Sequence, residues 1–177
     1  MNPFGKKSTN ATHWLWLMPP VILADQLSKW LIVEHLALFD RIQLLPIFDI
    51  VRLHNYGAAF SFLNDASGWQ RWLFVVLGIG VTIFIVFWLR RLPTRGQGIL
   101  AAGLAFVASG ALGNVIDRTW HGYVVYFLSF HYAHWYFPAF NVADISITIG
   151  AGLLILDMII THRREKRAGN EDANIAG

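Results

Sequence analysis

The chain contains no cysteine, which excludes disulfide staples, thiolate metal ligands and a thiol nucleophile. It is also poor in charge. Asp, Glu, Lys and Arg make up 14% of its 177 residues, against about a quarter in soluble domains. Only six prolines interrupt a chain that is 55% hydrophobic. That balance belongs to an integral membrane protein, and the length suits one small domain. Seven histidines are scattered without metal-ligand spacing such as HExxH, so neither a zinc centre nor any other cofactor is expected.

Four apolar stretches stand out, at about 14–33, 69–89, 98–116 and 142–160. Each is close to the ~20 residues that a helix needs to cross the hydrocarbon core. The expected fold is therefore an all-α integral membrane protein with four transmembrane helices, forming one membrane-embedded domain over 1–168. The small, polar tail at 169–177 is expected to be disordered. The basic residues set the orientation. Lys6 and Lys7 precede the first span, Arg90, Arg91 and Arg95 lie between the second and third, and Arg163, Arg164, Lys166 and Arg167 follow the fourth. By the positive-inside rule these segments, and both termini, are cytoplasmic. The net charge of +3 is then a topology signal, and no nucleic-acid partner is expected. A cleaved signal peptide fits the first span poorly, because Pro19, Pro20 and "DQLSK" break the run and no small-residue cleavage site follows.

The two outer segments, 34–68 and 117–139, are rich in aromatic residues, among them Phe39, Phe60, Phe62, Trp120, Trp135 and Phe137. Such rings favour the headgroup zone, so both segments should rest on the outer leaflet. Within the first, "QLLPIFDIVRLHNYGAAFSFL" shows strand-like runs broken by Pro46 and Gly57. It predicts a small outer-face β platform or hairpin between helices 1 and 2.

A charged group in a bilayer needs a job or a partner. Asp25 and Lys29 lie four apart on one face of the first span, as a structural ion pair would. The alternative is contact with a substrate head group. Asn55, beside Gly57, is suited either to hold its own turn or to grip an extended peptide. Gly110, Ala111 and Gly113 in "SGALGNVIDR" allow close helix approach. Asn114, Asp117 and Arg118 then gather at the outer boundary, where a structural Asp117–Arg118 pair is the plainest reading. In "FNVAD", Asn141 suits a helix cap and Asp144 the third helical position, favoured there by the helix dipole. Asp157 falls near the basic end of the fourth span, within reach of Arg163 or Arg164. By topology Asn55, Asn114, Asp117, Arg118, Asn141 and Asp144 share one outer face, and their convergence reads as a site. A small transporter component is the competing class. It would place its polar groups near the midplane, often within repeats, and neither feature is present.

The stretches "DQLSK", "HNYGAAFSF", "GALGNVIDR" and "FNVADISI" stand in the order and spacing of lipoprotein signal peptidase, also called signal peptidase II. The chain resembles that family from the first span to the fourth. The resemblance implies a metal-free aspartic endopeptidase of the bacterial inner membrane, with its active site at the periplasmic face. Its partners would be membrane lipids and diacylglyceryl prolipoproteins, whose signal peptides are removed just before the lipidated cysteine, and globomycin-type peptides would inhibit it. By the same resemblance Asp144 is one member of a catalytic pair. Asn55, Gly57, Asn114, Asp117, Arg118 and Asn141 bind substrate or support the site, and Asp25 and Lys29 are structural. Two neighbouring carboxylates share a proton, because both cannot ionise side by side.

The chain departs from the family at the second acid. The family's "V-V-D-F" here reads "VVYF", which puts Tyr126 at that position. An ordinary Tyr titrates near ~10 and is a poor base at neutral pH. Three readings follow. The acid is lost and the chain binds substrate without efficient cleavage; or Asp117 substitutes for it; or Tyr126 supports a weakened mechanism as a hydrogen-bond donor. The first is preferred.

Overall fold

The computed structural model describes residues 10–57, 68–93 and 96–175. Lys6, Lys7, Phe60, Phe62 and Arg95, used above for topology and for the outer leaflet, lie outside the described residues. A 3-10 helix over Ala11–Leu17 leads into α1, Met18–His35. The switch falls at Pro19 and Pro20. Proline lacks an N–H and is tolerated in the first helical turn, so the α-helix starts there and the residues before it tighten into a 3-10 turn. Trp14–Leu17 of the expected first span therefore belong to this turn rather than to the α-helix.

Three further helices follow: α2, Trp69–Arg91; α3, Gly98–His121; and α4, Val142–Ile175. Among the described residues, three helical stretches are long and apolar enough to cross a membrane: α2, α3 and Val142–Arg167 of α4. The 18-residue α1 carries Asp25, Lys29 and Glu34, which lower its apolar content. α4 continues well past residue 160. The sequence expects the fourth span to end near 160 and a disordered tail over 169–177; the helix continues to Ile175, and 176–177 lie outside the described residues. The stretch 161–175 contains no proline and is rich in Arg, Lys, Glu and Ala, which have good helix propensity.

α3 is the hub. Of its most apolar window 56% is buried, against 22% and 17% for the windows in α2 and α4. Its small residues explain this. Gly103 faces Gly150 and Leu153 of α4, and Gly110 lies against the Ala143 carbonyl and Ile147. Gly113 faces Asp25 of α1, while Ala111 and Val115 meet Gly78 of α2. Lipid tails are as apolar as the helices, so close backbone approach and van der Waals contact hold such a bundle together. At the end with the basic turn, Ile85, Leu89, Leu104 and Ala108 form a buried cluster with Ala11 and Leu92.

At the other end stands a four-stranded antiparallel sheet in the order β1-β2-β3-β4: Arg41–Leu45, Phe48–Asn55, Val124–Tyr132 and Trp135–Tyr136. The expected platform between helices 1 and 2 is thus only half of it. β2 has a second edge with unpaired backbone groups, and β3, from the segment between α3 and α4, pairs with it from Phe48↔Phe130 to Asn55↔Val124. Gly122, at φ 87°, ends α3 in the left-handed conformation that glycine adopts freely and turns the chain into β3. Phe140, just before α4, exchanges backbone hydrogen bonds with Leu128, so β3 is fastened to the start of α4. Trp120, Tyr132 and Trp135 are highly exposed around this end.

The helix packing yields a stability prediction. Ala at Gly110 would collide with the Ala143 carbonyl and the Ile147 side chain, whereas Gly152 has open space around it. Gly110→Ala should destabilise the folded protein in detergent by about 1–3 kcal/mol. Gly152→Ala should be neutral or mildly stabilising, since Ala is the better helix former. Thermal unfolding of the two variants side by side checks this; equal melting temperatures would refute the close α3–α4 contact.

Candidate active site

Residues on the last turns of α3 and the first turn of α4 build the site. Asn114, Asp117 and Arg118 are three and four apart, so they share a helix face. On α4, Asn141 is the N-cap and Asp144 the third helical residue. The Asn141 Oδ1 accepts the Asp144 backbone N–H at 2.9 Å, and Asp144 Oδ2 accepts the Asn141 N–H at 3.2 Å. This reciprocal capping box satisfies two N–H groups that would otherwise lack partners. It also fixes the Asp144 carboxylate. Its Oδ1 accepts a hydrogen bond from Asn114 Nδ2 at 2.9 Å. Asn141 Nδ2 in turn donates to Asn114 Oδ1 at 3.2 Å and to the Val125 carbonyl at 3.1 Å.

Behind this lies a buried ionic network. Asp25, Lys29 and Asp117 are 1%, 3% and 2% exposed. The Lys29 ammonium sits 2.7 Å from Asp25 Oδ2 and 2.9 Å from Asp117 Oδ2, and donates to Asn114 Oδ1 at 3.3 Å. The other Asp25 oxygen accepts the Ala143 N–H at 2.8 Å, capping α4 from α1. Asp117 Oδ2 also accepts the Val125 N–H of β3 at 3.2 Å. Gln26 closes the network by donating to Asp117 Oδ1 at 2.9 Å and to the Gly113 carbonyl at 3.2 Å.

Two expectations change here. Asp117 pairs with Lys29 across the bundle rather than with its neighbour Arg118. A buried carboxylate gains more from a buried ammonium aimed at it than from a side chain on the next residue, which points along a different direction of the helix. Arg118 turns instead to the carbonyls of Gly57, at 2.9 Å, and Asn114, at 3.3 Å, with its guanidinium over the Phe74 ring. Both Asp117 oxygens are thus engaged away from Asp144, which weakens the reading in which Asp117 stands in as the second acid. Asp157 forms no ion pair among the described residues; Arg163 and Arg164 lie six and seven residues further along the same helix. Gln26 was not singled out by sequence. Its only signal was its place beside Asp25 in an otherwise apolar helix.

Tyr126 comes from β3, where it opposes Leu53 of β2. Its hydroxyl is hydrogen-bonded by the Asn55 side chain. Asn55 also holds its own turn, its Oδ1 accepting the Gly57 N–H at 2.8 Å. Burial, reinforced by the nearby Asp144, pushes the Tyr126 hydroxyl up to about 12. It therefore keeps its proton at neutral pH. Tyr126 and Asp144 line a common cavity of about 480 Å³, walled by Phe137 and Phe140 on one side and by Ile145 and Ile149 of α4 on the other. The cavity offers one carboxylate and one phenol, a base and a hydrogen-bond donor, beside an apolar slot. Asn55, Gly57, Asn114, Arg118 and Asn141 surround these two groups. Asp25, Lys29 and Asp117 lie behind them. Among the described residues, no three His, Asp or Glu side chains gather as metal ligands.

The family profile described as Signal peptidase (SPase) II matches residues 17–160. A lipoprotein signal peptidase of Shewanella pealeana is 48% identical over 156 residues, covering 88% of this chain and 91% of that one. One of Alteromonas mediterranea is 48% identical over 146 residues, covering 82% and 80%. A solved structure described as a bacterial membrane enzyme, determined by the in meso method at 2.3 Å, superposes with a TM-score of 0.72 at 27% identity, covering 83% of this chain and 87% of that one. A second, at 1.9 Å, gives 0.69 at 27% identity, with 82% and 92% covered. With the profile spanning both the α1 network and the Asn141–Asp144 cap, the chain belongs to the signal peptidase II family.

Proposed function

We propose that this chain is an aspartic endopeptidase of the bacterial inner membrane that binds diacylglyceryl prolipoproteins and, with Tyr126 in place of the second acid, cleaves their signal peptides poorly. The observation that carries this reading is the clamped Asp144 carboxylate facing Tyr126 across one apolar cavity. In this arrangement α1 is a fourth crossing helix, both termini are cytoplasmic, and 1–168 act as a single membrane-embedded domain. The cavity then opens at the periplasmic face, among the aromatic residues that suit the headgroup zone. Its apolar wall suits a signal peptide and lipid, and globomycin-type peptides would occupy the same slot.

Ionised Asp144 takes a proton from water, and the hydroxide equivalent attacks the scissile carbonyl. The Tyr126 hydroxyl donates a hydrogen bond to the developing oxyanion, as the protonated second carboxyl would. A phenol held near 12 is a far weaker acid than a carboxyl group, so it polarises the carbonyl less and does not hand over its proton. Asp144 must return the proton to the leaving amine. Asn114 and Asn141 hold the carboxylate at the geometry this needs. Asn55 orients Tyr126, and Arg118 supports the Asn55 turn by donating to the Gly57 carbonyl.

Gel-based cleavage of a diacylglyceryl prolipoprotein by the purified chain and by Tyr126→Asp tests the assignment. The variant should be faster by about 10²–10⁴-fold, the usual weight of a general acid–base group. Asp144→Asn in that background should abolish the gain. Equal rates with and without Tyr126→Asp would sink the pairing. A rate unaffected by Asp144→Asn would remove Asp144 from the chemistry.

Lys29 behaves differently on this reading. Its removal leaves two buried carboxylates uncompensated, a cost of about 3–5 kcal/mol. Lys29→Ala should therefore cut folded yield sharply while the surviving folded fraction keeps its affinity for substrate. Normal yield with lost affinity would instead make Lys29 a substrate contact.

A further inference from the structure

A second cavity, also of about 480 Å³, lies against the sheet on the other side of Tyr126. The two cavities share Tyr126 and the 137–139 segment but differ in character. One runs along the isoleucines of α4. The other is walled by Arg41, His54, Asn55, Ser129 and Tyr136. A chain whose scissile bond lies at Tyr126 thus has an apolar slot on one side and a polar one on the other.

Arg41 is the cation built into the polar slot. Its guanidinium stacks over the Tyr136 ring, 4.9 Å from the centroid, and sits 3.0 Å from Asp49 Oδ2. Asp49 is 1% exposed and is also held by His131, 3.2 Å from its Oδ1. The contact with Arg41 is electrostatic only, because Asp49 Oδ2 receives no aligned hydrogen bond. Arg41 is therefore pinned at two points, while no hydrogen bond among the described residues uses its N–H groups. Its side chain is 47% exposed toward the cavity and solvent. A planar guanidinium held in place with unused donors is suited to a carboxylate, which it meets through paired N–H···O bonds.

We propose that Arg41 is a specificity-determining residue that reads an acidic side chain in the polypeptide just after the cleavage-site cysteine. This rests on the function proposed above: the apolar signal peptide takes the α4 side, and the polar segment that remains after cleavage crosses Tyr126 into the second cavity. Arg41 touches neither Asp144 nor the scissile bond. It acts on which prolipoproteins bind well, not on the chemical step.

The test is direct binding to the chain in phosphatidylcholine nanodiscs. The probes are fluorescent diacylglyceryl signal-peptide fragments, identical except that Asp, Ser or Lys stands two residues after the cysteine. At low salt the Asp probe should bind about tenfold more tightly than the Lys probe, with Ser between, and high salt should shrink the ratio. Arg41→Gln should bring the three within about twofold. Equal binding of all three probes to the unsubstituted chain would overturn the role of Arg41 and leave the function proposed above standing. No binding of any probe would overturn that function itself. If Arg41→Gln fails to fold, the salt response of the unsubstituted chain decides: an Asp-to-Lys ratio that does not change with salt refutes the inference.

Discussion

Lys29 is an ammonium held deep in the bundle between Asp25 and Asp117, and the geometry of the whole sheet-bearing end hangs on it. Each carboxylate does a second task beside the ion pair, Asp25 through its other oxygen and Asp117 through the same Oδ2. Asp25 caps the Ala143 N–H and so seats the first turn of α4, and Asp117 accepts the Val125 N–H and so seats β3. The ammonium itself donates to the Asn114 side-chain Oδ1, which leaves the Asn114 NH₂ to face Asp144. Buried ion pairs are poor sources of net stability but strong specifiers of arrangement, because any wrong arrangement strands a charge in an apolar medium. Here four elements, α1, α3, α4 and β3, converge on three side chains.

That network works only because the helices approach so closely. Gly113 of α3 leaves the space into which the Asp25 carboxylate projects, and Gly110 admits the first turn of α4. A Cβ at Gly113 would come within 2.7 Å of Asp25 Oδ2, and one at Gly110 would collide with the Ala143 carbonyl, so larger residues would push α1 or α4 outward and stretch these hydrogen bonds. The small-residue face of α3 and the ionic network are thus one design. Packing without solvent brings the backbones together, and the charges then select one register among the several that small faces allow.

Tyr126 is well accommodated by the scaffold around it. β3 keeps its pairing with β2, the neighbouring Val124 and Val125 are fully buried, and Asn55 is hydrogen-bonded to the phenol. A phenol is longer than a carboxyl and needs burial against apolar walls, which the cavity beside Phe137 and Phe140 supplies. Folding draws on these contacts. On the function proposed above, acid–base chemistry would draw on the ionisation of the group at 126, and there a phenol and a carboxylate are not interchangeable.

Much of this was legible along the chain. Long apolar runs dictate long helices, because a backbone in lipid must satisfy itself. Asn141 followed three residues later by Asp144 dictates a capped helix start, and the i, i+4 spacing of Asp25 and Lys29 dictates a shared face. The composition and the four quoted motifs carried the family. Three things depended on the tertiary structure. Lys29 reaches a second carboxylate 88 positions away, so neighbour-based reasoning paired Asp117 with Arg118 instead. The sheet takes half its strands from a distant segment, because an open edge of β2 is closed by whichever strand the fold brings to it. Tyr126 meets Asp144 only where β3 and α4 are fastened together at Leu128 and Phe140. Spacing along one helix is written in the sequence; which groups meet across elements is decided by helix approach and strand pairing.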